Sequence, residues 1–238
     1  MPQQSQVLLG QHDLRVENGS HIILLYQDKS ELLEFLLNYY VEGLKKNDLC
    51  FMVNATEQIV KEIRQNAERV GISAQRFQDN MVFLDYKDLY FNGGKFDAGR
   101  VYKKIDELIR KNPSRRIRTC GDMTWFDSSN FNDLDRYETG LSERYNSNNL
   151  VLMCAYFSSQ LTVEQIIKII QSHTKIVFKE KGTWKVSETV ERKIYEEKIE
   201  ELEKFSKITV DRELKMIELK NKIAELEREL RENKNNPK

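Results

Sequence analysis

Short unbroken apolar runs alternate along this chain with longer segments whose apolar residues recur every three or four positions. The runs are 21–27 (HIILLYQ), 48–54 (DLCFMVN), 81–86 (MVFLDY), 115–123 (RRIRTCGDM) and 149–156 (NLVLMCAY). Runs of this length and make-up suit strands covered on both faces. Segments 29–47, 56–71, 97–112, 132–146 and 161–173 carry the helical period. Thr56 is placed to cap the second of these, and Gly71 and Pro113 end the second and third. Residues 174–186 read as a terminal hairpin turning at Lys181-Gly182. Strands and helices alternating at this spacing predict βαβ units: an α/β fold with a mainly parallel sheet and helices on both faces. Residues 1–20 read as a loose leader, 21–186 as the α/β domain, and KDLYFNGGKF as a loop.

Beyond residue 188 the pattern changes. From Leu202 to Leu230, through Phe205, Thr209, Arg212, Met216 and Leu219, seam positions follow at alternating steps of three and four. This is a heptad seam. Tyr195 and Ile199 precede it in a shifted phase, as a stutter would produce. A long helix with one narrow apolar stripe needs a partner, so residues 188–234 are expected to form a dimeric coiled coil. Thr209 and Arg212 weaken the middle of the seam, where polar core positions can mark a register or switching element.

Charge sharpens this division. About half of the residues from 187 onward are charged, while the chain as a whole has no net charge. Balanced charge provides no global field for nucleic acid or an anionic membrane. The one basic cluster, Lys111 to Arg118, reads as a solvated turn. No apolar run reaches the roughly 20 residues of a membrane helix, and the polar N-terminus does not resemble a signal peptide. Cys50, Cys120 and Cys154 lie within strand-like runs without CxxC spacing, as expected of reduced thiols in a cytoplasmic protein.

In a parallel sheet, ligands bind beyond the carboxyl ends of the strands. Those ends carry Tyr26, Asp28, Asn54, Asp122, Trp125 and Tyr156, an aromatic edge with a few polar groups that suits a small organic ligand. The competing reading is that these aromatics pack under loops. A phosphate loop needs glycines where Leu24, Leu25 and Tyr26 stand, and only Lys29-Ser30 matches the motif. Asn92-Gly93-Gly94-Lys95 reads as a surface turn. His21 begins a strand and His173 ends a helix, so both are expected near the amino edge, away from Cys120, which argues against a Cys–His catalytic pair. A metal held by His21, His173 and a cysteine is the weaker reading beside ordinary structural histidines, so no metal or cofactor is assigned. No acid–base pair is placed by spacing.

The body resembles the MEDS (DcmR-like) sensory domain over roughly residues 15–180. The matching positions are His21 to Tyr26 with Asp28, Glu42-Gly43-Leu44, Cys50, Gly121-Asp122-Met123-Thr124-Trp125, Cys154-Ala155-Tyr156 and His173. Asp122 departs from the family's usual Glu, and the output is expected to come from a partner unless the protein is a stand-alone or shortened member. The resemblance implies a RecA/KaiC-like fold with its phosphate loop lost. It also implies a non-catalytic sensory module for a small organic ligand, signalling through a dimeric coiled coil to a histidine kinase or transcription regulator. His21 and Cys154 join Tyr26, Asp28, Asp122, Trp125 and Tyr156 as ligand-contact candidates. The alternatives are a divergent nucleotide-binding ATPase and a structural adaptor.

Overall fold

A computed structural model describes residues 6–10, 13–127, 130–146, 149–189, 215–216, 219–220 and 222. The chain divides into two units, residues 1–189 and 190–238.

The first unit is built on a seven-stranded sheet. Its strands are β3 (His21–Tyr26), β4 (Leu49–Val53), β5 (Met81–Leu84), β8 (Ile117–Asp122), β9 (Leu150–Phe157), β10 (Lys175–Glu180) and β11 (Thr183–Glu188), in the order β11-β10-β3-β9-β8-β4-β5. All neighbours pair in parallel except the β10–β11 hairpin. The α/β class expected from the sequence is the one observed. β4 and β9 are buried almost end to end, as strands covered on both faces must be.

Helices α1 (Lys29–Lys45), α2 (Glu57–Arg69) and α3 (Ala74–Asn80) share one apolar cluster with one face of the sheet. Helices α4 (Tyr86–Tyr90), α5 (Ala98–Lys111), α6 (Phe131–Tyr145) and α7 (Val163–Gln171) contribute to a second cluster, with Ile23, Phe51, Leu152 and Cys154 from the strands. Side chains alternate across each strand, so neighbouring residues such as Ile22 and Ile23 feed different cores. Most helices start on a side-chain cap: Asp28, Thr56, Ser73, Asp85, Asp97 and Thr162 each accept from a first-turn amide.

Three features differ from the sequence reading. The expected loose leader is packed: β1 (Gln6–Leu8) pairs with β2 (Arg15–Glu17), and Val7, Leu9 and Val16 are fully buried. The basic turn is not wholly solvated, because Arg118 is completely buried. Its Nε donates to Asp48 Oδ2 at 2.5 Å and its Nη1 to Leu8 O at 2.8 Å, tying the leader to the sheet. Gly43 makes room for it, since a Cβ there would lie 2.7 Å from Arg118 Cδ. The segment expected as one loop holds α4 and a small hairpin of β6 (Phe91–Asn92) and β7 (Lys95–Phe96). Gly93 and Gly94 form its turn at positive φ, as a tight hairpin requires.

The terminal hairpin is anchored by Trp184, buried edge-on against Phe35 with its Nε1 donating to Glu34. The predicted coiled-coil helix falls outside the described residues, apart from Lys215, Met216, Leu219, Lys220 and Lys222, which are helical and exposed. Among the described residues, no helix is long and apolar enough to cross a membrane.

Candidate functional site

The carboxyl edge of the sheet is closed by its own side chains. Tyr26 Oη donates to Asp122 Oδ1 at 3.0 Å, and Asn54 Nδ2 donates to Asp122 O at 3.1 Å. Asp122 is buried, which raises its pKa against the opposing hydrogen bonds from Tyr26 and Thr124. Asp28, expected to touch a ligand, instead caps α1: its carboxylate accepts from Ser30 N and Glu31 N. Glu31 Oε2 in turn accepts from Gln27 N at 2.8 Å. The backbone N–H groups at this helix start, which could face a phosphate, are therefore answered by two carboxylates. Trp125 is half-buried in an aromatic stack, 4.8 Å from Tyr90, 5.3 Å from Phe91 and 5.4 Å from Phe96 between ring centroids.

A second constellation lies inside the fold. β3 and β9 pair with Ile23 opposite Cys154, and His21 sits two residues before Ile23 on the same face. The diagonal brings Cys154 Sγ within 3.5 Å of His21 Nε2. This corrects the expectation that no cysteine pairs with a histidine, although a grouping of His21, His173 and a cysteine was the weaker reading of the sequence. The expectation was drawn for Cys120, whereas Cys154 lies midway along the eight-residue β9. α6 lays Glu138 over the same spot, and His173 arrives from the end of α7. Glu138 Oε2 is 3.1 Å from His21 Nε2, 3.5 Å from His173 Nε2 and 3.4 Å from Cys154 Sγ. Tyr156, expected at the carboxyl edge, is buried here and donates to Glu138 Oε1 at 2.5 Å. The two imidazoles stack with centroids 3.8 Å apart.

The hydrogen-bond network fixes the tautomers. Ser142 Oγ spends its one hydrogen on Ser172 O, so it accepts from His21 Nδ1 at 2.8 Å. His173 Nδ1 lies 2.7 Å from Ile169 O, which can only accept. Both Nδ1 atoms therefore carry a proton, and both Nε2 lone pairs point at Glu138. Burial lowers both imidazole pKa values to about 3, so these contacts are not ion pairs at neutral pH. Burial also raises Glu138, and burial with the nearby Glu138 pushes the Cys154 thiol well up.

Beside this cluster, between α5, α6 and the sheet, lies an apolar cavity lined by Phe51, Tyr90, Val101, Ile105, Leu152 and Cys154 among others. Its volume is ≈ 50 Å³, where one water needs roughly 10–15 Å³. Cys154 belongs to both the cavity wall and the polar cluster. The cavity also depends on Gly121, where a Cβ would lie 2.8 Å from Tyr90 Oη.

The family model of the MEthanogen/methylotroph, DcmR Sensory domain (MEDS) matches residues 20–174. The chain belongs to the MEDS family. The match begins one residue before His21 and ends one after His173, so it encloses the whole buried cluster. A sensory role is what membership of the MEDS family suggests. Among matching solved structures is an ATPase domain, at 11% identity and a TM-score of 0.44, with 68% of this chain and 69% of that chain covered. Comparison with curated proteins finds no match.

In this MEDS chain the seven candidate residues separate into distinct places. Tyr26 and Asp122 seal the carboxyl edge, Asp28 caps a helix and Trp125 stacks among aromatics. His21, Cys154 and Tyr156 converge on Glu138 and His173. Glu138 escaped the sequence reading, yet it left a signal. Leu134, Glu138, Leu141 and Tyr145 step along one helical stripe, and a carboxylate among them must be buried.

Proposed function

We propose that this MEDS domain is a non-catalytic sensory module that takes a small apolar organic molecule into the cavity beside Cys154 and passes the event to the C-terminal segment. The observation that carries this reading is a short physical path. Cys154 belongs to the cavity wall and contacts the His21–Glu138–His173 cluster. His173 O accepts from Thr189 Oγ1 at 2.8 Å, and Thr189 is the last residue of the first unit. A molecule that displaces Cys154 or α6 shifts the packing around His173, and with it the point where the chain leaves the domain. Such a switch works only through unequal affinity for two arrangements.

The downstream element in this reading is the heptad-bearing segment, acting as a homodimeric coiled coil that engages a histidine kinase or transcription-regulator partner. The carboxylates of Asp28 and Glu31 at the start of α1 support a module that holds no nucleotide phosphate. Tight magnesium-dependent ATP binding would argue for the ATPase alternative.

The direct test uses benzene and xenon as probes, since dry apolar cavities bind both. Shift changes in NMR spectra of the full chain should centre on Val101, Ile105 and Leu152. They should vanish in Val101→Phe, which fills the space. Shifts that persist in a folded Val101→Phe protein, or no shifts at all, reject the cavity as the sensing site.

A further inference from the structure

We infer that His21, Glu138, Cys154 and His173 form a closed site for one divalent metal ion of the zinc class. The four donor atoms all lie within 4.8 Å of one another. Four of the six donor–donor separations, at 3.1, 3.4, 3.5 and 3.5 Å, are close to the edges of a zinc tetrahedron, about 3.3–3.6 Å, and a small turn of the stacked imidazoles would open the site around an ion. Two imidazoles, a thiol and a carboxylate suit borderline-soft ions, whereas calcium and magnesium prefer oxygen alone.

The proton count supplies an independent argument. Three lone pairs face the centre: His21 Nε2, His173 Nε2 and Glu138 Oε2. The Cys154 thiol brings one hydrogen to the centre. The thiol lies within reach of His21 Nε2 and Glu138 Oε2. Among the described residues His173 Nε2 is buried with no hydrogen-bond partner, which costs stability unless something answers it. A cation at the centre satisfies every lone pair at once. With Glu138 and Cys154 as anions and both histidines neutral, a divalent ion makes the buried site electrically neutral.

The outer contacts are those of metal ligands. His21 Nδ1 is held by Ser142, His173 Nδ1 by Ile169 O, and Glu138 Oε1 by Tyr156, the kind of bonds that orient ligating histidines and carboxylates. Loading balances as one divalent ion entering while Cys154 releases its thiol proton to solvent, together with any proton held by the Glu138 carboxyl. Because all four residues are buried, the ion enters during folding. The inference is independent of whether the cavity takes an organic molecule.

The test is metal analysis of the full chain, refolded with zinc and freed of loose metal, alongside refolding with cobalt(II). One zinc per chain is expected, with cobalt giving a tetrahedral visible spectrum and a sulfur-to-cobalt charge-transfer band. That band should be lost in Cys154→Ser, and bound zinc should fall at least tenfold in His173→Asn. Should either variant fail to fold, the stoichiometry and thiolate band of the unaltered chain still decide. No retained zinc and no cobalt spectrum overturn the inference, as does a thiolate band unchanged in Cys154→Ser.

Discussion

At the residue scale, the fold uses charged and polar side chains where an apolar core would be simpler. Arg118 with Asp48, and Glu138 with its histidines, form two separate buried groups. Removing one partner of such a pair costs more than the pair contributes, because the other is stranded. Asp122 offers a clean test through pH. Burial raises its folded pKa above 3.8, so the folded state holds a proton that the unfolded chain releases. Its contribution is complete below the unfolded pKa and is lost as pH rises through the folded one. Asp122→Asn keeps an acceptor for Tyr26 and has no such loss. Denaturant midpoints should therefore favour the variant increasingly as pH rises above the unfolded carboxyl value of about 4; a constant difference would contradict the buried carboxyl. Individual candidates were legible in the sequence at this scale, but their company was not. His21 and Cys154 meet through strand register and Glu138 through helix phase, and neither is written in local spacing.

Elements were the most legible level. Each strand of the main sheet was anticipated to within a few residues, because apolar runs buried on both faces tolerate little else. The pieces that escaped were short. β1 and β2 have three residues each, too few for periodicity to register, and their burial depends on the distant Arg118. The aromatic loop also changes meaning. Trp125 is stacked on Tyr90, Phe96 and Tyr86, and so belongs to the packing that roofs one side of the second core. Trp125→Ala should lower unfolding stability by about 3 kcal/mol, the usual loss for a large aromatic, read from chemical denaturation. A loss below about 0.5 kcal/mol, the range of ordinary surface substitutions, would leave Trp125 free for direct ligand contact instead.

For the whole molecule, the account joins a cavity, a polar cluster and an exit point. Their order in space follows from the parallel sheet. β3 and β9 lie side by side although His21 and Cys154 are 133 positions apart in the chain, and β10 returns the chain beside β3. The domain therefore ends next to where its sheet begins, and Thr189 bonds the backbone of His173. Nothing local in the sequence announces that return. Membership of the MEDS family suggests a sensory role, and this short path is the physical form we assign to it. The most direct measurement is hydrogen exchange on the full chain with and without saturating benzene. The account predicts slower exchange in α5 and α6 around the cavity and, in the same sample, altered exchange at the Thr174 and Thr189 amides. Protection confined to the cavity helices, with residues 173–189 unchanged, would contradict the claim that occupancy of the cavity is read at the domain's exit.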